Sequence, residues 1–229
     1  MIRGLTELEK FKVIRPIIGE CQYDVFDMPI VKKCDFSRLD LNQIEVVNCN
    51  GIKASTENKN KIVLMFAYDK VLMRFWNEPL KRVPAMQTYA AIATPDFSIY
   101  PTMNINEIRH NVFKSRWLGR TWQNYGVTVI PTVGWATPDS YDLCFSGIEK
   151  NGVVIISTLG CNEYKDVFLA GFNEMKKRLE PSLIIVYGNM IDGMSGTFLN
   201  FKYTDIFDVK NKQLRINEIP SVFTIKEVI

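Results

Sequence analysis

The chain reads as an α/β protein built from at least five consecutive parallel β-α units, and three observations predict this. Five short apolar runs recur along it: KIVLMFAY (61–68), YAAIAT (89–94), VTVIPTV (127–133), VVIIST (153–158) and LIIVYG (183–188). Each run stops in a loop marked by Gly, Pro or small polar residues, as strands buried on both faces do. The segments between the runs carry helical spacing, which is the alternation expected of a parallel sheet covered by helices. A TIM-like or incomplete barrel is preferred over an open doubly wound sheet, with the N-terminal segment available to supply further strands. In either arrangement ligands bind outside the carboxyl ends of the strands, so chemistry is expected in the loops that follow the runs.

Residues 1–60 are expected to form an N-terminal extension packed on the core. They are charge-balanced, show no clear period and contain FKVIRPII and QIEVVNC as short strand candidates. TENKNK (56–61) is a polar break before the first strong strand. Residues 61–190 form the β-α core, in which 79–87 is a short helix candidate. The longest helix is expected over 104–124, where Ile105, Ile108, Val112, Ser115, Gly119 and Trp122 share one face at about 100° per residue. The small Ser115 and Gly119 on that face predict close approach to another backbone. Arg109, Phe113, Arg116 and Arg120 fall on an adjoining stripe, and Gly126 ends the helix.

Thr137-Pro138 opens a helix over 138–146, with proline in its favoured first turn. Residues 164–180 are the most regular: Tyr164, Val167, Phe168, Gly171, Phe172, Met175 and Leu179 follow helical spacing, Asn162 is a cap candidate and Pro181 enforces the end. Residues 191–229 form a C-terminal tail, entered through the Gly-rich NMIDGMSGTF and closing on IPSVFTIKEVI, an edge-strand candidate. The whole reads as a single domain.

Composition narrows the function classes. The 229 residues are 47% apolar, enough for one sizeable core. No stretch approaches the roughly 18 apolar residues that span a bilayer, and MIRGLTELEKFK is too charged for a signal peptide. A cytoplasmic protein without membrane contact is expected. Cys21, Cys34, Cys49, Cys144 and Cys161 contain no CxxC pair, and His110 is the single histidine. That argues against a disulfide framework, structural zinc and His-rich metal sites, and leaves little from which to build a Ser-His-Asp triad. No metal site is expected, and no cofactor is indicated. The net charge of +3 is too small to imply nucleic acid by itself, although Arg109, Lys114, Arg116 and Arg120 face only Glu107 within 104–126.

Asp96 and Asp139, in the loops after the second and third runs, are the candidate catalytic carboxylates. Two carboxylates on one rim can share acid-base work or bind a divalent cation. An acid at 139 also suits a helix N-terminus, and Asp96 also suits a cap. Ser98, Ser157 and Thr158 are candidate hydrogen-bonding groups for a ligand. Trp135 is either a stacking wall or a plug at the sheet end. Arg116 and Arg120 form either an anion clamp or a solvated helix face. Cys161 precedes a helix, a setting that activates thiols, but no histidine is near it in sequence and an inert buried thiol is the alternative. Gly188 to Ser195 has the glycine spacing of a phosphate loop, yet Met194 stands where the lysine is required, which argues against an NTPase.

Pro95-Asp96-Phe97-Ser98, Arg116 with Leu118-Gly119, Trp122-Gln123, Ile130-Pro131-Thr132-Val133, Trp135, Ser140-Tyr141, Cys144-Phe145, Gly147-Ile148 and Ser157-Thr158 together resemble an uncharacterised family of bacterial, phage and mobile-element proteins, domain of unknown function 4417. Phe172 to Leu179 and Ile184 to Gly188 complete the resemblance, which spans residues 35–190. It implies a mobile-element context rather than a reaction. Two functions follow. One is a phage or mobile-element accessory protein that binds a host or phage macromolecule through the Arg/Phe/Trp surface of helix 104–124, a protein being better supported as partner than nucleic acid. The other is an enzyme or ligand-binding protein for a nucleotide or other phosphate-bearing substrate, with its site at the C-terminal ends of the strands.

Overall fold

Every apolar run supplies a strand, and strands beyond the five flank them. The computed structural model describes residues 4, 6–34, 36, 39–202, 215–216 and 221–225. Strands β1 (Glu45–Asn48), β2 (Lys61–Leu64), β3 (Ala91–Ala93) and β4 (Val129–Ile130) are parallel and neighbour one another in chain order. Strands β5 (Val153–Ser157), β6 (Leu183–Tyr187) and β7 (Gly196–Phe201) form a second parallel set, again in chain order. β8 (Arg215–Ile216) lies antiparallel on β1, and β9 (Ser221–Ile225) lies antiparallel on β7. QIEVVNC and the C-terminal IPSVFTIKEVI do contribute strands. Residues 203–214, 217–220 and 226–229 of the tail lie outside the described residues.

The α/β class with parallel β-α units therefore stands. The described strands form two open sheets, ordered β4-β3-β2-β1-β8 and β5-β6-β7-β9, rather than a closed barrel. The division falls at Pro131, and its cause is local. Proline has no N–H to give the ladder, so β4 stops at Ile130 after pairing with Ala93. The chain then turns toward β5: Ile155 N donates to Pro131 O at 3.0 Å, and Val133 N donates to Ile155 O at 2.8 Å. Thr94 seals the seam, with its hydroxyl accepting from Thr132 N at 2.9 Å and its carbonyl accepting from Thr132 Oγ1 at 2.6 Å.

Side-chain alternation places the core. Val153, Ile155, Leu183, Ile185, Tyr187, Leu199 and Phe201 point to the side that also receives β1–β4. Val154, Ile156, Ile184, Val186 and Phe198 point the other way, onto helices. Successive side chains on a strand must face opposite sides, and here both sides are apolar because both are covered.

The helices are α1 (Glu7–Ile14), α2 (Asp69–Asn77), α3 (Val83–Met86), α4 (Ile105–Asn124), α5 (Tyr141–Cys144) and α6 (Lys165–Leu179). FKVIRPII does not form a strand: its first half belongs to α1, held by a reciprocal cap in which Glu9 N donates to Thr6 Oγ1 and Thr6 N donates to the Glu9 carboxylate. The expected helix at 138–146 is a 3-10 turn, Pro138–Ser140, followed by the short α5. The N-cap of α6 is Tyr164 rather than Asn162, because a 3-10 turn over Cys161–Tyr164 comes first. No helix among the described residues is long and apolar enough to cross a membrane.

α4 carries the close approach that its small residues predicted. A Cβ on Gly119 would lie 2.5 Å from Thr94 Cγ2, and Ser115 Oγ donates to Thr94 Oγ1 at 3.0 Å. The arginine stripe, however, is not a solvated face. Arg109 is exposed, while Arg116 and Arg120 are 2% and 4% exposed. The segments 15–20 and 144–147 cover that side of the helix: the carbonyls of Glu20, Cys144 and Ser146 take up the guanidinium donors, and that of Arg15 takes up the Trp117 indole N–H.

Candidate functional site

The carboxyl ends of β2, β3 and β5 bring three loops together. The first holds Asp69, the opening residue of α2; the second runs from Thr94 to Ser98; the third holds Ser157 to Cys161. α4 fixes the second loop from behind at three points. Asn111 Nδ2 donates to Ser98 O at 2.7 Å, Lys114 Nζ lies 4.2 Å from the centre of the Phe97 ring, and Ser115 bonds Thr94. From the front, Ser98 donates to Asp69 Oδ1 twice, through its N–H at 3.1 Å and its hydroxyl at 3.0 Å.

Asp96 sits within this frame. It retains partial exposure as a residue, but its carboxyl is surrounded by protein and accepts no hydrogen bond among the described residues. Burial and then the negative charge of Asp69 raise its pKa from the ordinary 3.8 to about 7, against a smaller lowering by the Arg116 charge. Gly134 lies over it, where a Cβ would come into ordinary contact with Asp96 Oδ1 at 3.6 Å. A gap of about 10 Å³ beside it is lined by Asp96, Phe97, Asn111, Ser115, Arg116 and Gly134 among others. That is room for about one water molecule. A carboxyl poised near neutrality beside such a space can both give and take a proton at physiological pH.

The partners of Asp96 differ from those the sequence suggested. Its carboxylate neighbour is Asp69, while Asp139 is exposed in the 3-10 turn before α5. Trp135 packs against Phe145 and Phe168 at centroid distances of 6.1 and 5.1 Å and covers Gly171 of α6, on the outer side of the second sheet. Ser157 Oγ donates to Tyr187 O and accepts from Leu159 N, and Thr158 Oγ1 donates to Asn189 O at 2.7 Å. Those hydroxyls tie the β5 loop to the end of β6. Arg116 donates to Ser146 O, Thr132 O, Cys144 O and Ser115 Oγ, and burial lowers its pKa to about 10. Arg120 donates twice to Glu20 O. Both arginines act as sutures between chain segments.

Asp69 and Lys114 were legible but undervalued. Asp69 is the first acid after the first strong apolar run, and Lys114 was visible only as one charge in a basic segment. Cys161 also belongs to this cluster: burial first, and the Asp96 charge second, push its thiol pKa up. Such a thiol is poorly nucleophilic. Among the described residues no group of three or more His, Cys, Asp or Glu could hold a metal ion. A larger groove of about 530 Å³ lies at the opposite strand ends, but Lys59 is its only charged lining residue and no carboxyl enters it.

Comparison with known proteins gives a family and a setting. The chain is 40% identical over 118 residues to the "Gene 1 protein" of Mycobacterium phage D29, covering 50% of this chain and 44% of that protein. It is 38% identical over 118 residues to the "Gene 1 protein" of Mycobacterium phage L5, covering 50% of this chain and 52% of that one. The matched region thus spans about half the length of these curated relatives. No solved structure matches. The family described as Domain of unknown function (DUF4417) matches residues 22–207, which include the strands β1–β7 and all three rim loops, and the chain belongs to that family.

Proposed function

We propose that this chain is a phage or mobile-element accessory protein of the host cytoplasm. It works through a small-ligand site at the C-terminal rim of β2, β3 and β5, with Asp96 as the group that gives and takes a proton. The two sheets are read as an incomplete barrel, supported by the chain-order strand sequence and by Phe66 after β2 stacking on Tyr187 of β6 at 5.3 Å. The observation that carries the reading is the Asp96 carboxyl: it accepts no hydrogen bond among the described residues, is pressed by Asp69, and faces a solvent-sized gap. The two carboxyls have different surroundings: Asp69 accepts two hydrogen bonds from Ser98, while Asp96 is the one whose proton is held toward neutrality. The gap admits only a water-sized group, so the ligand, a nucleotide or other phosphate-bearing compound, would lie on the open rim outside it.

The test is a panel of nucleoside phosphates and sugar phosphates, followed by thermal shift for binding and by chromatography for product. Binding or turnover should depend on a group titrating near pH 7, and Asp96→Asn should abolish that dependence. The reading fails if the Asp96→Asn protein handles the same ligands with the same pH profile, or if no member of the panel is bound.

Capture of a macromolecule keeps one observation in its favour. α1 has no buried residue and leaves Leu8, Val13 and Ile14 about 60% exposed. Replacing those three by Ser should then abolish capture of a phage or host protein, while unaltered capture would remove this second reading.

A further inference from the structure

The gap beside Asp96 is walled by polar groups that protein atoms leave short of partners. Asp96 accepts no hydrogen bond among the described residues. Asn111 of α4 is 6% exposed and lines the same gap. Its Nδ2 is engaged by Ser98 O at 2.7 Å, which leaves Oδ1 as the other end of the amide, and no described residue donates to it. Neither the Asp96 oxygens nor Asn111 Oδ1 is sealed within protein, and the gap is the cavity that both side chains line. Ser115 and Arg116 complete the polar wall, with Ser115 Oγ donating to Thr94 Oγ1 and accepting from Arg116 Nη1. Buried polar groups without protein partners are ordinarily satisfied by ordered water, and a volume of about 10 Å³ suits one molecule. The flanking charges select in the same direction. Asp96 opposes an anion and Arg116 opposes a cation, whereas a neutral water can meet both.

We propose that the gap is the binding site of one ordered water, held between the Asp96 carboxyl and Asn111 Oδ1, and that Asp96 exchanges its proton with this molecule. This rests on the reading of Asp96 as the proton carrier of the rim. With Asp96 ionised, the water donates one hydrogen to the carboxylate and the other to Asn111 Oδ1. On proton uptake an O–H bond forms on Asp96 as one O–H bond of the water breaks, and the water regains a proton from solvent at the rim, so no charge stays on it. Asn111 is then a positioning residue. One end of its amide fixes the Asp96 loop through Ser98, and the other end fixes the water. The other ionisable groups within electrostatic reach of Asp96 are Asp69 at the start of α2, Arg116 on α4 and Cys161 after β5.

The experiment uses the full chain without any ligand, so its failure is distinct from failure of the ligand panel. Magnetic relaxation dispersion of water counts long-lived water molecules in wild type and in Gly134→Ala, and NMR of the side-chain carboxyl follows the titration of Asp96 in both. Gly134 does not have a positive φ. Its Cβ would stand 3.6 Å from Asp96 Oδ1 and 3.9 Å from Ile99 Cδ1, two walls of the gap, so alanine takes the space of the water without removing a partner. Gly134→Ala should lose one long-lived water, and Asp96 should then titrate about one pH unit higher, because its ionised form has lost a hydrogen-bond donor. Asn111→Leu keeps the side-chain volume and removes the second acceptor. It should lose the same water and raise Asp96 in the same direction, a shift that a purely structural asparagine would not produce. The proposal is overturned if wild type and both variants hold the same number of long-lived waters, or if Asp96 titrates at the same pH in all three.

Discussion

Replacing Asp96 by Asn should change how stability depends on pH, and the direction is fixed by the site. Asp96 is raised from 3.8 to about 7, so the folded state holds its proton more tightly than the unfolded chain does. For an acid raised in this way, stability is highest below the unfolded pKa. It falls as pH climbs from about 4 to about 7 and stays low above that. A rise of this size corresponds to roughly 4 kcal/mol, and the partial opening of the residue to solvent brings the expected loss to about 2–4 kcal/mol. Asn keeps the shape and removes the charge.

Wild type and Asp96→Asn should therefore be similar in stability near pH 4, and the variant should be the more stable by about 2–4 kcal/mol near pH 8. Urea denaturation of both proteins across that range measures the difference, and other titrating groups cancel in the comparison. Asp69→Asn should narrow the window from its upper end, since it removes the second cause of the raised pKa. A stability difference that stays constant with pH would refute the buried, charge-pressed Asp96 and, with it, its role as proton carrier.

Three further outcomes follow from the packing. Arg116→Met strands the carbonyls of Thr132, Cys144 and Ser146 and should cost about 3–5 kcal/mol by chemical denaturation, whereas a surface arginine would cost almost nothing. Gly171→Ala drives a Cβ into the Trp135 indole and should cost about 1–3 kcal/mol; in a Trp135→Ala background that extra cost should vanish, and its persistence would contradict the packing of Trp135 on α6. Alkylation of Cys161 near neutral pH, followed by mass spectrometry, should be slow in wild type and faster in Asp96→Asn, because the Asp96 charge raises the thiol pKa. Equal rates would separate the two residues.

The parallel units were legible because strands buried on both faces must be apolar throughout, and five such runs leave few alternatives. The seam at Pro131 was legible in part: the proline is plain in VTVIPTV, but that its carbonyl would turn to Ile155 depends on a strand more than twenty residues away. The rim loops were identified by rule, and Asp96 with them. The choice of partner was not legible. Both Asp69 and Asp139 follow apolar runs, and only the return of Ser98 onto Asp69 draws the first of them to the site.

α4 shows why the arginines were misjudged and Lys114 passed over. Helical periodicity gives the angle of a side chain about the axis but not the depth of protein beyond it. Twelve of the twenty residues of α4 are buried, including Lys114, Arg116 and Arg120. Enclosing a helix of that composition is costly unless its guanidinium groups find acceptors. Arg116 and Arg120 find them in the carbonyls of Glu20, of Ser146 and of Cys144 at the end of α5, which no helical or strand hydrogen bond takes up. Planar guanidinium forks suit several carbonyls at fixed angles, whereas the Lys114 ammonium settles over the Phe97 ring at the rim. The same enclosure that converts two arginines into structure leaves Lys114 against the Phe97 ring, beside the loop that carries Asp96.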